Sequence, residues 1–241
     1  MTYLNIASYK FINLSAEYLP ALQNELKQQA AALQIKGTIL LSVEGINLFL
    51  AGTHDAINVF IHHLTKISHF NNLIFKRSES DHLPFQRLRV RIKSEIISMK
   101  QPHIQPEKAT APYLEPAEFK QWYSENKEML VLDTRNNYEV DIGTFENAKH
   151  FNIENFTDFP AAIAALPNEA KNKPIVTFCT GGIRCEKAAA ILQAQGFQQV
   201  WQLKGGILNY FEQCGGEYFN GNCFVFDQRR AVNANLEEIK Q

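Results

Sequence analysis

A short apolar run, Lys173–Phe178, leads directly into Cys179, and two glycines later an arginine opens a helix-like segment. The stretch Phe178-Cys179-Thr180-Gly181-Gly182-Ile183-Arg184-Cys185-Glu186-Lys187 admits few folds. An apolar run, a Gly-Gly turn and a helix from about Arg184 to Gln195, stopped by Gly196, read as strand, tight turn and helix. Met129–Leu132 is another such run, ending at Asp133, and Gln199–Leu203 follows Gly196. Buried-type strands separated by helices predict a parallel α/β sheet, with its ligand site past the carboxyl ends of the strands. Cys179 falls there.

The N-terminal part has a different rhythm. Residues 3–11 are strand-like. A helix near 16–34 follows, with Ser15 as N-cap, Leu19, Leu22, Leu26 and Leu33 on one face, and Gly37 past its C-terminus. Thr38–Val43 and Ile46–Ala51 flank Glu44-Gly45 as a hairpin. Thr53 caps a second helix bearing Ile57, Phe60, Ile61 and Leu64, and Leu73–Lys76 and Leu88–Ile92 are strand-like. This order predicts a ferredoxin-like (βαββαβ) α+β sandwich. Between the two parts Pro102, Pro106, Pro112 and Pro116 mark an extended linker. The expected divisions are an acylphosphatase-like or ferredoxin-like domain over 1–95, a linker over 96–116, an α/β domain over 117–215 and a tail over 216–241.

With 45% hydrophobic and 20% charged residues in 241, the chain has an ordinary globular composition. A net charge of −1 gives no bulk attraction for a polyanion, yet residues 1–110 hold 12 Lys and Arg against 8 Asp and Glu. The halves are therefore expected to face different partners. No apolar run is long enough to span a bilayer, and MTYLNIASYKF lacks the pattern of a secretory signal. Four cysteines, Cys179, Cys185, Cys214 and Cys223, are too sparse for a disulfide scaffold, so a reducing cytoplasm is expected.

Amides of the Cys179 loop, helped by a helix N-terminus, are expected to point inward as an anion nest that keeps the sulfur ionised and accessible. A buried, inert cysteine is the competing reading. Four residues separate Cys179 from Arg184, a tighter cradle than a cysteine phosphatase uses, and one suited to sulfur. Cys185 is placed either to resolve an oxidised Cys179 or simply to pack the helix on the sheet. Arg184 is expected to orient the loop, bind an anion or pair with a carboxylate such as Glu139, while Asp133 ties the loop together by accepting N–H bonds.

Cys179 to Arg184, with Asp133-Thr134-Arg135, Glu139 and Gly143 before Ala148, resembles the rhodanese domain. More specifically, CTGGIRCEK (179–187), Gly205-Gly206-Ile207 and Cys223-Phe224-Val225-Phe226-Asp227 resemble the rhodanese-containing tRNA uridine-34 5-hydroxylases. Ser42–Asn47, Ala51-Gly52-Thr53 and Phe85–Lys93 are similar to that family's N-terminal domain. The resemblance implies oxygen-dependent conversion of uridine 34 in tRNA anticodons to 5-hydroxyuridine. It places the essential cysteine at Cys179, an active-site loop at Thr180, Gly181, Gly182, Ile183 and Arg184, and support at Asp133, Arg135 and Glu139, while Cys185 is a supporting residue by its place beside Cys179. A plain sulfurtransferase carrying a Cys179 persulfide, fed by a persulfide-donor protein, is the alternative.

Arg87, Arg89, Arg91 and Lys93 recur at every second residue, which puts all four on one strand face with Leu88, Val90 and Ile92 turned to the core. RNA contact by that row is weighed against a solvated, salt-bridged face. The expected partner is tRNA, through its anticodon loop, rather than DNA or a membrane. Neither a two-histidine-plus-carboxylate set nor a dinucleotide fingerprint is visible, so no metal and no organic cofactor are assigned, and molecular oxygen is the implied co-substrate.

Overall fold

A computed structural model describes residues 2–239. The chain forms two compact units, one of residues 2–97 with 226–229, the other of residues 98–225 with 230–239.

The first unit runs β1 (Tyr3–Phe11), α1 (Tyr18–Ala32), β2 (Lys36–Ser42), β3 (Gly45–Gly52), α2 (His54–Lys66), β4 (Lys76–Ser80) and β5 (Leu88–Ile92). Its sheet order is β4-β1-β3-β2-β5. The first four strands have the ferredoxin-like arrangement, and β5 adds a fifth, parallel to β2. Leu22 and Leu26 of α1, Ile57, Phe60 and Leu64 of α2, and Ile6, Ile39 and Leu48 of the sheet form one core. Thr53 caps α2 as expected, accepting from the Ala56 amide at 3.3 Å.

Several local expectations shift. Helix α1 starts later than expected, with Glu17 at the N-cap position, though the Ser15 hydroxyl still accepts from the Tyr18 amide at 3.3 Å. Gly37 lies inside β2 rather than at the helix end, where Gln34 takes the left-handed backbone (φ 56°). The fourth strand is Lys76–Ser80, not Leu73–Lys76; Leu73 is buried as a core anchor outside any strand. Leu88 and Val90 pack on the core, but Ile92 is exposed near the end of this edge strand.

The second unit runs β6 (Tyr113–Leu114), α3 (Pro116–Ser124), β7 (Leu130–Asp133), α4 (Asn137–Val140), β8 (Gly143–Phe145), α5 (Phe159–Ala164), β9 (Ile175–Phe178), α6 (Ile183–Ala194), β10 (Val200–Leu203), α7 (Gly206–Cys214), β11 (Phe219–Gly221), β12 (Cys223–Phe224) and β13 (Ala231–Val232). A four-stranded sheet, β6-β10-β9-β7, is parallel throughout. Two antiparallel pairs, β8 with β11 and β12 with β13, stand beside it. Val131, Val176, Phe178 and Leu203 of the sheet pack with Phe119, Phe145, Tyr210 and Phe211. Residues 93–112 carry no helix or strand, yet Ile96, Met99, Ile104 and Ala111 are buried.

Candidate active site

Asp133 ends β7 and Phe178 ends β9, so both chain segments emerge at the same edge of the parallel sheet. Thr134 joins them, its N–H and Oγ1 both donating to the Phe178 carbonyl at 3.0 and 2.9 Å. Cys179 follows at once. Gly182, in the left-handed region (φ 98°), turns the backbone so that its N–H donates to Cys179 Sγ at 3.0 Å. Helix α6 starts at the next residue, and the Arg184 N–H also points at the sulfur.

Burial by itself pushes the Cys179 thiol up. The Cys185 thiol, the Arg184 charge and the amides of Arg184 and Gly182 outweigh it and bring the group down to about 5. Cys185 moves the other way, since burial and its neighbour Cys179 keep it protonated. It therefore serves as a donor, seated between Cys179 and Thr134, whose Oγ1 lies 4.0 Å from Cys185 Sγ. The sulfur that titrates is Cys179.

Expected accessibility is the part that fails. Cys179 is fully buried. Ile207 and Leu208, in the first turn of α7, donate to the carbonyls of Cys179 and Thr180 at 3.0 and 3.1 Å. A second helix N-terminus thus packs on the carbonyl side of the loop. Gly181 is half-buried where its neighbours Thr180, Gly182 and Ile183 are buried.

Arg184 grips Glu139. Both terminal nitrogens reach the carboxylate, Nη2 at 2.7 Å from Oε1. Glu139 also accepts from Thr180 Oγ1 at 3.3 Å and, at the start of α4, from the Asn136 amide at 3.2 Å. Burial raises the Glu139 carboxyl, but Arg184 more than offsets it and holds the group below the usual carboxylate range. So the arginine of the loop is anchored to α4.

Asp133 does not tie the cysteine loop. Its carboxylate accepts from the Arg135 amide (3.0 Å), Nε (2.9 Å) and Nη2 (2.6 Å), and from Thr144 Oγ1 at 2.7 Å. Arg135 Nη2 also donates to the Gly143 carbonyl at 2.6 Å. The pair is fully buried and fixes β8 to the end of β7. A carboxylate this short and this close to a guanidinium two residues on is satisfied locally.

Three neighbours were not singled out as site residues by sequence reasoning. Thr144 completes Asp133. Cys223, buried, contacts Thr180 and lies beside Arg135 and Glu139; burial pushes its thiol up to about 12. Phe224 offers its carbonyl to Thr180 Oγ1 at 3.5 Å. All are distant in sequence from the loop, and only the Cys223-Phe224 motif had signalled anything.

On the first unit, Arg87, Arg91 and Lys93 are exposed and Arg89 is half-buried along β5. The Lys93 amide extends the pairing to the Leu41 carbonyl at 2.8 Å. Cations on an edge strand also guard it against pairing with another sheet.

Known protein families match the two units separately. Residues 3–96 match the UPF0176 acylphosphatase like domain and residues 115–213 the rhodanese-like domain. Full-length relatives join them. A protein of Bordetella petrii named tRNA uridine(34) hydroxylase is 50% identical, covering 97% of this chain and 94% of that protein. The chain belongs to the tRNA uridine(34) hydroxylase family. Relatives of the same name in Cupriavidus necator and Bordetella parapertussis are each 47% identical, over 98% and 97% of this chain and 85% and 97% of theirs. The hydroxylase name is carried by relatives that span both units, which does not favour the sulfurtransferase alternative or a persulfide-donor partner. Among the described residues no helix is long and apolar enough to cross a membrane.

Proposed function

We propose that the protein acts in the cytoplasm on the tRNA anticodon loop, converting uridine 34 to 5-hydroxyuridine with Cys179 as the reacting group. The observation that carries the reading is the match, across both units, to proteins named for this reaction. The loop supplies chemistry to go with it. An ionised sulfur held by the Gly182 amide adds to C6 of uracil, and the electron pair of the C5–C6 double bond moves toward C5 and the C4 carbonyl. C5 becomes the electron-rich carbon and takes one atom of molecular oxygen; a two-electron donor with two protons releases the other atom as water, and loss of the C5 proton then re-forms the C5–C6 double bond and expels the Cys179 thiolate from C6. Arg184, anchored by Glu139, keeps positive charge beside the sulfur. Arg87, Arg89, Arg91 and Lys93 supply cations for the tRNA backbone.

Nucleoside analysis of tRNA from a deletion strain carrying wild-type protein or Cys179→Ser tests this. Loss of 5-hydroxyuridine on deletion, restored by wild type alone, is the expected result; restoration by Cys179→Ser overturns the role of the thiol. An anticodon RNA carrying 5-fluorouridine at position 34 is expected to leave a covalent complex with wild type and none with Cys179→Ser.

A further inference from the structure

Tyr138 is an exposed aromatic ring set beside the catalytic loop, and the reaction as proposed does not use it. The residue is 45% exposed. The ring meets Phe224 in a T-shaped contact, with centroids 5.2 Å apart and planes at 76°. Both residues bracket Thr180, which follows Cys179. Glu139, next to Tyr138, accepts from Thr180 Oγ1, and so does the Phe224 carbonyl.

The ring is held in place before any ligand arrives. Tyr138 stands in α4, whose start is held by the Asn136 amide donating to Glu139 Oε2, and Asn136 Nδ2 donates to its phenolic oxygen at 3.3 Å. Phe224 is fixed by pairing with Ala231. The residue before Ala231 is Arg230, exposed and with left-handed backbone (φ 61°), whose carbonyl accepts from the Val225 amide at 2.9 Å. An exposed arginine thus lies at the loop end of the same short hairpin.

A buried sulfur cannot reach a base inside the anticodon stack. The target must leave it, and the neighbouring base loses a stacking partner when it does. Exposed aromatic rings compensate such bases, and adjacent cations hold their phosphates. We propose that Tyr138, backed by Phe224, is a stacking platform for a nucleobase adjacent to uridine 34, with Arg230 contacting the RNA backbone. This rests on the tRNA reading above and adds the subsite that presents the loop.

The test uses the full-length protein and an anticodon stem-loop RNA with 2-aminopurine beside uridine 34, read by fluorescence and by affinity. Wild type is expected to change the 2-aminopurine signal on binding. Tyr138→Ala loses that change and binds about tenfold more weakly, while Tyr138→Phe retains both, since the ring is what stacks. Arg230→Gln weakens binding and lowers the slope of log affinity against log salt by about one, with the saturated signal intact. If Tyr138→Ala matches wild type in signal and affinity, the platform is overturned while the tRNA reading stands. If wild type itself ignores the stem-loop, both fall together.

Discussion

Gly206 packs against the carbonyl of Cys179 so tightly that a Cβ there would lie 2.4 Å from that oxygen, and 2.8 Å from both the Gly182 nitrogen and the Thr180 oxygen. Its backbone is left-handed as well (φ 68°). The glycine is what lets the N-terminus of α7 close over the loop and donate to its carbonyls.

Gly206→Ala therefore strains the backbone and displaces the loop together. It is expected to lower stability by about 2 kcal/mol or more, and to abolish uridine hydroxylation. Gly196→Ala is the control, since that position is also left-handed (φ 89°) but has nothing within 4 Å of an added Cβ. Only about 1 kcal/mol of backbone strain is expected there, with activity retained. Thermal denaturation and tRNA nucleoside analysis of both variants check the contrast.

Glu139→Gln removes the charge from a buried pair and leaves Arg184 without its carboxylate. Removing one partner of such a pair costs about 3–5 kcal/mol. The pH dependence has a definite sign. A carboxyl held below its ordinary value stabilises the fold fully above the usual carboxylate range, and this is lost as the pH falls through that range and then through the lowered value. In urea unfolding, wild type should lose more stability between pH 7 and pH 4 than Glu139→Gln. Equal losses would place the stabilisation elsewhere.

Cys185 is expected to act as a positioning residue, through the sulfur it faces. Cys185→Ala takes away a donor, so the pH at which Cys179 becomes reactive toward iodoacetamide should rise; Cys185→Ser, which retains a donor, should restore it in part. Peptide mass analysis of Cys179 alkylation across pH measures this. A purely structural Cys185 would change the amount of folded protein without moving the midpoint.

Much of the architecture is written in local pattern. The apolar run of β9, the Gly-Gly turn and the start of α6 lie within one stretch of chain, so period and punctuation locate Cys179 at a strand end. Strand β4 escaped because Lys76–Ser80 has no apolar alternation; it is specified by pairing with β1, which is a tertiary fact. Leu73, the apolar residue that drew the expectation away, anchors the core from outside the strand. Arg184 and Glu139 stand 45 residues apart, so their pairing is only one of the roles the sequence leaves open for Arg184, and the fold is what selects it. The enclosure of Cys179 was not visible, since it depends on how closely α7 approaches, and nothing in Gly205-Gly206 announces what it touches.

The lowered Cys179 thiol makes this residue an anion at neutral pH, and the absorbance of the thiolate near 240 nm reports it directly. Titrating wild type against Cys179→Ser should give a difference of one thiolate with a midpoint near pH 5, Cys185 remaining protonated. A difference that appears only around pH 8 to 9, where an ordinary cysteine ionises, would contradict the account.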